Sequence, residues 1–293
     1  MGEVVQLAVE GADGSHWIIH GPGCEAGGVV LDEDPENLWE TPTSTIWTSG
    51  AYQEGGTFGG ERHNMQDPIL PVHISATRDS DWLSVYSRWR RAFRFDRKTY
   101  LVGTSRSGVR RLAVQLLETP PFKPTIDPGV NGYAPMVMRL RAGWPFWVEE
   151  PVVDVFQSKP GELAGTVMVS NPTNHPCYLQ WVVVNAAAGG RVTLPDFSWQ
   201  DDPEHEDYEW RDRVITTPTL SAGEQLTIDS YPDEETWRSN INPMFYGRTA
   251  GVEFEFAIPA HTEPIDVPVS ATAAGTVIQV RQPRNWRTLL GGD

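Results

Sequence analysis

The sequence predicts a mainly β protein in two domains, the first carrying one α-helix. Three observations lead there. Most of the 293 residues fall into short runs of alternating apolar and polar side chains, broken by Gly, Pro, Asn and Asp. One segment has helical periodicity. Composition also shifts at mid-chain: residues 1–147 hold 14 Lys and Arg against 17 Asp and Glu, whereas residues 148–293 hold 9 against 22. A chain of this length supports two cores of ordinary size, so the expected division is 1–147 and 148–293.

In the first half, VVQLAVE (Val4 to Glu10), the turn GADG and SHWIIH (Ser15 to His20) read as an opening hairpin. ILPVHISA (Ile69 to Ala76), TYLVGT (Thr99 to Thr104), VRRLAVQLLE (Val109 to Glu118) and APMVMRLRA (Ala134 to Ala142) are further strands, the middle two joined by a tight SRSG turn. The glycine-rich SGAYQEGGTFGGERH (Ser49 to His63) reads as a mobile surface loop. The helix is expected near 80–94, where Trp82, Tyr86, Trp89 and Phe93 recur at spacings of four, three and four and so share one face. Asp79 or Ser80 is its expected N-cap, and Arg90, Arg91 and Arg94 lie toward its carboxyl end, where the helix dipole favours cations.

The second half shows no comparable helix. PVVDVFQ, ELAGTVMVS, CYLQWVVVNA, RVTLPD, EQLTIDS, GVEFEFAIP, IDVPVS and GTVIQVRQP make about eight strands, the pattern of a two-sheet sandwich or jelly roll. In GVEFEFAIP, read as a strand, Phe254 and Phe256 are expected on one side and Glu253 and Glu255 on the other, one of the two sides being core. DDPEHEDYEW (Asp201 to Trp210) reads as a solvated, disordered acidic loop.

Chemistry is sparse. The net charge of −16 repels a phosphate backbone, which argues against specific nucleic-acid binding. GTSRSG (Gly103 to Gly108) lacks the spacing and the strand-to-helix setting of a nucleophile elbow. His16 and His20 share a strand face but stand roughly 13 Å apart, too far to hold one metal alone. Ser49 to His63 lacks the Gly-Lys-Ser/Thr ending of a phosphate loop. The carboxylates between Asp201 and Asp212 do not follow the calcium-loop spacing. Cys24 and Cys177 fit neither a disulfide framework nor a zinc site. No catalytic residue, metal or cofactor is therefore expected. The N-terminus lacks the basic flank and apolar block of a signal peptide, and no run approaches a membrane span, so membrane insertion is not expected either. The alternative reading is a β-sandwich carbohydrate-binding module or glycoside hydrolase. It would use Trp181 and Trp199 as glycan contacts, and Glu253 and Glu255 as its carboxylate pair.

Order along the chain is more informative than any motif. The opening hairpin, QEGGTFGGERH, PILPVHISA, DSDWLSVYSRWRRAF, KTYLVGTSRSGVRRLAVQLLE, VMRLRAGWPFWVEEP, VSNPTNHPCYLQWVVV and LSAGEQLTIDS follow one another in a succession that resembles the distal tail proteins of long-tailed phages. In phages of actinobacteria these are often labelled minor tail proteins. The resemblance implies a β-rich first domain with one helix that assembles into a homohexameric ring, and a galectin-like outer sandwich. It further implies a structural protein that joins the tail tube to the tail-tip hub or baseplate. The same resemblance implies tape-measure and fibre proteins as further candidate partners, DNA that only passes through the ring, and assembly in the host cytoplasm. In that picture Trp144, Phe146 and Trp147 of WPFW form the domain junction, each buried ring contributing about 2–3 kcal/mol to fixing the domains. Arg90, Arg91 and Arg94 are the possible subunit interface.

Overall fold

The computed structural model describes residues 5–291, which divide into two compact units. One holds the described residues through Glu149 together with those from Trp286 onward; the other is Glu150–Asn285. The chain thus leaves the first unit once and returns to it at its end.

In the first unit, β1 (Gln6–Glu10) and β2 (His16–His20) form the expected hairpin, with Leu7, Val9, Trp17 and Ile19 on its buried face. A short β3 (Val29–Leu31) follows, then β4 (Thr43–Thr48), β5 (Thr57–His63) and β6 (Ile69–Ser75). The helix α1 spans Trp82–Ala92 and is capped by Asp81, not Asp79 or Ser80: the Asp81 carboxylate accepts from the Ser84 backbone N–H at 2.8 Å. After it come β7 (Thr99–Ser105), β8 (Gly108–Leu116), a single turn α2 (Pro128–Asn131) and β9 (Tyr133–Arg141). Strand β7 lies between β1 and β8, and β6 between β3 and β9, all antiparallel.

The helix seals the resulting core with Trp82, Val85, Trp89 and Ala92. Trp89 is fully buried, edge-on to Trp17 at 5.5 Å and to Phe93 at 4.8 Å. Trp286 and Leu289, from the returning end of the chain, enter the same core. Gly103 makes room for that return, since a Cβ there would stand 2.0 Å from Leu289 Cδ1. Arg110, 1% exposed, secures it: its guanidinium lies 3.7 Å over the Trp286 ring, pairs with Glu149 and donates to the Thr288 and Gly291 carbonyls at 2.8 and 2.7 Å.

Strand β10 (Trp147–Gln157) carries the chain out of the first unit. In the second, β11 (Ala164–Asn171), β12 (Gln180–Val184), β13 (Val192–Pro195), β14 (Val214–Thr216), β15 (Gln225–Asp229), β16 (Trp237–Ser239), β17 (Thr262–Ala271) and β18 (Val277–Trp286) follow in order. One sheet runs β11-β17-β13-β14. Opposing it, β12 pairs with β15 on one side and β18 on the other, and β16 adds to β15. The two sheets share one core, with Val167 and Val267 from the first and Trp181, Ile228 and Val280 from the second.

Two expectations fail in this unit. The GVEFEFAIP stretch is not a strand: its backbone N–H groups at Glu255 and Phe256 donate to the buried Asp196 carboxylate, which also pairs with Arg213 at 2.8 Å. A side chain satisfies the groups that a neighbouring strand would otherwise take. Phe254 is buried, but Phe256 only partly. The acidic stretch, expected to be disordered, holds a 3-10 turn at Glu206–Trp210, whose Asp207 N–H donates to His205 Nδ1.

Candidate functional site

The glycine-rich stretch is not a loop throughout. Residues 57–63 form β5, which pairs with β4 in a two-stranded sheet that no other described strand joins. All of β4 and most of β5 are exposed. Pairing shifts by one residue between Ile46↔Gly60 and Trp47↔Phe58, leaving Gly59 as a bulge beside Gly60, whose φ of +125° suits glycine. The hairpin carries Ile46, Trp47, Tyr52 and Phe58 at 47, 59, 102 and 55% exposure, with the Trp47 and Phe58 rings edge-to-face at 5.5 Å. An isolated hairpin is marginally stable in water, and unpaired strand edges with exposed rings invite another chain. This arm is the element of the first unit most in need of a partner.

Its foot is held firmly. Asn64 N–H donates to Pro42 O at 2.8 Å and Asn64 Nδ2 to Ser44 Oγ at 2.7 Å, while Arg287 pairs with Glu61. His63 meets Thr43 Oγ1 at 3.0 Å and packs its ring against Phe146 at 5.1 Å. Burial, reinforced by the nearby Arg287 charge, pushes the His63 pKa below its usual value and favours the neutral ring.

The WPFW rings are placed by this same foot. Trp147 is fully buried in the first unit's core and donates Nε1–H to Leu38 O at 3.2 Å. Thr41 Oγ1 donates to Pro145 O at 2.6 Å, and Phe146, 4% exposed, meets His63. Trp144 stays 38% exposed, so the picture of three desolvated junction rings gives way to two rings packed into the first unit and one at the surface.

Of the expected helix face, Trp82, Trp89 and Phe93 are buried and Tyr86 partly so, stacked on Trp82 at 4.9 Å. Phe93 reaches the core from an extended residue after the helix ends. Arg90, Arg91 and Arg94 line one cleft together. Trp181 is fully buried and offers no face to a sugar, while Trp199 packs against the second core. Glu255 is tied to Arg213 at 3.3 Å. Among the described residues no group of three or more His, Cys, Asp or Glu could hold a metal ion, and no helix is long and apolar enough to cross a membrane.

The chain is similar to minor tail protein Gp27 of Mycobacterium phage D29, at 27% identity covering 90% of this chain and 92% of the relative. The Gp27 protein of Mycobacterium phage L5 matches equally. The chain is thus similar along most of its length to phage minor tail proteins. No family model matches it. Among solved structures, the Dit protein of phage SPP1 shares its fold with a TM-score of 0.58 at 9% identity, over 96% of this chain and 99% of that one. A chain of the phage p2 baseplate in its activated conformation matches with a TM-score of 0.50 at 10% identity, over 96% and 98%. The mainly β architecture is therefore that of Dit and baseplate proteins, and the relatives are named as tail components, not as enzymes.

Proposed function

We propose that this chain is a minor tail protein, a non-enzymatic structural component of the virion tail tip. In this reading six copies close into a ring that joins the tail tube to the tail-tip hub or baseplate, and the second unit forms a galectin-like outer domain. The observation that carries the reading is the arm formed by β4 and β5, whose free edges and exposed rings are suited to a neighbouring copy. A heterologous contact of this kind closes when each copy is turned by one-sixth of a circle. The similarity to tail proteins along almost the whole chain supports the same assignment. The carbohydrate reading loses its main support with the burial of Trp181. Native mass spectrometry of the purified protein and antibody-labelled electron microscopy of virions test the proposal. Rings at the tail tip are expected, and a strict monomer both free and in particles rules it out.

A further inference from the structure

At the carboxyl end of α1, Ala12, Arg90, Arg94, Phe95, Arg97 and Leu116 are among the residues that line a cleft of about 510 Å³. Its walls are stapled in place: Ala92 O accepts from Ala12 N–H and from Thr99 Oγ1, and Arg94 O accepts from Leu116 N–H. Four guanidiniums, including that of Arg91, meet two carboxylates there, and one carboxylate, that of Asp96, is engaged by Arg94 at 2.9 Å. Arg90 Nη1 is buried, and among the described residues no acceptor reaches it. With four guanidiniums against two carboxylates the cleft carries surplus positive charge, which suits a partner that brings carboxylates for charge-assisted hydrogen bonds. Phe95, 56% exposed, supplies an apolar wall beside the charges.

We propose that this cleft docks an acidic, aromatic-bearing peptide segment, and that its occupant is residues 201–212 of a second copy of the chain. That segment places seven carboxylates within twelve residues and adds Tyr208 and Trp210, the latter 44% exposed. It matches the cleft in both charge and aromatic character. Duplex phosphate would meet the arginines but leave the Phe95 wall uncovered, and the net charge of −16 opposes it. The identity of the occupant rests on the ring reading, whereas the docking chemistry does not.

The test is fluorescence anisotropy of a labelled synthetic peptide spanning residues 200–212, titrated with the full-length protein. Binding is expected to weaken as salt is raised. Replacing both arginines, Arg90→Ala with Arg91→Ala, should weaken it by about tenfold or more. Arg106→Ala, at the turn between β7 and β8, should leave it unchanged. If the double variant fails to fold, Arg91→Glu, at an exposed position, gives the same reading. A peptide with its carboxylates replaced by amides should not bind, and one with Tyr208 and Trp210 replaced by Ala should bind more weakly. The proposal is overturned by no binding, by binding indifferent to the arginine variants or to loss of the two aromatics, or by preference for a DNA oligonucleotide. Peptide binding is measured whatever the oligomeric state, so failure of docking and failure of the ring are separate results.

Discussion

Replacing Trp47 at the tip half of the arm separates assembly from folding. The side chain is 59% exposed in the single chain, so it contributes little to the monomer. If a neighbouring copy covers it, about 150 Å² of ring surface leaves water, taking roughly 250 Å² for the whole side chain. At about 25 cal/mol per Å² this amounts to ~4 kcal/mol as an upper figure, and buried aromatic anchors in interfaces typically cost at least about 2 kcal/mol when truncated. Trp47→Ala should therefore raise the dissociation constant of each subunit contact by about 30-fold to 1000-fold. Sedimentation velocity across a concentration series reads that shift, and thermal melting of dilute monomer serves as the control. Unchanged assembly, or a fall in monomer stability large enough to explain the loss, would refute the arm as the self-association element.

Trp89→Ala empties the centre of the first core and should destabilise that unit by about 3–5 kcal/mol, read by urea denaturation followed by circular dichroism. Arg110→Ala leaves Glu149 and two carbonyls without their cation. It should cost about 3 kcal/mol and speed amide exchange across residues 286–291, an effect hydrogen-exchange mass spectrometry localises. Burial pushes the Cys177 thiol up to about 12, only partly offset by Arg284, so it stays protonated and resists alkylation at pH 8 until the protein unfolds. Peptide mapping after iodoacetamide treatment with and without urea checks this, and rapid native labelling at Cys177 would contradict it.

Elements with one wet and one dry face were legible in the sequence. Strand β2, helix α1 and strand β12 each bury a regular stripe of side chains, and side-chain direction follows from local backbone geometry. The arm was not legible, because β4 and β5 are exposed on both faces and their alternation has no core to report. Glycines in β5 then read as a loop, although Gly60 serves a bulge within a ladder. The opposite error arose at Glu253 to Phe256, where alternation was present but Asp196, about sixty residues earlier, took the backbone donors.

The candidate sites divide in the same way. Sequence alone determined that the chain is acidic, mainly β and poor in catalytic groupings, and its succession of segments pointed to phage tail proteins. Only the tertiary structure decided that Trp181 is core and not a platform, that Trp147 belongs to the first unit, and that residues 286–291 return to that unit under Arg110. The cleft around Arg90 was decided there too, since its walls come from segments up to a hundred residues apart. Periodicity records which way a side chain points from its own backbone; which distant groups it meets depends on how strands far apart in the chain pair and pack.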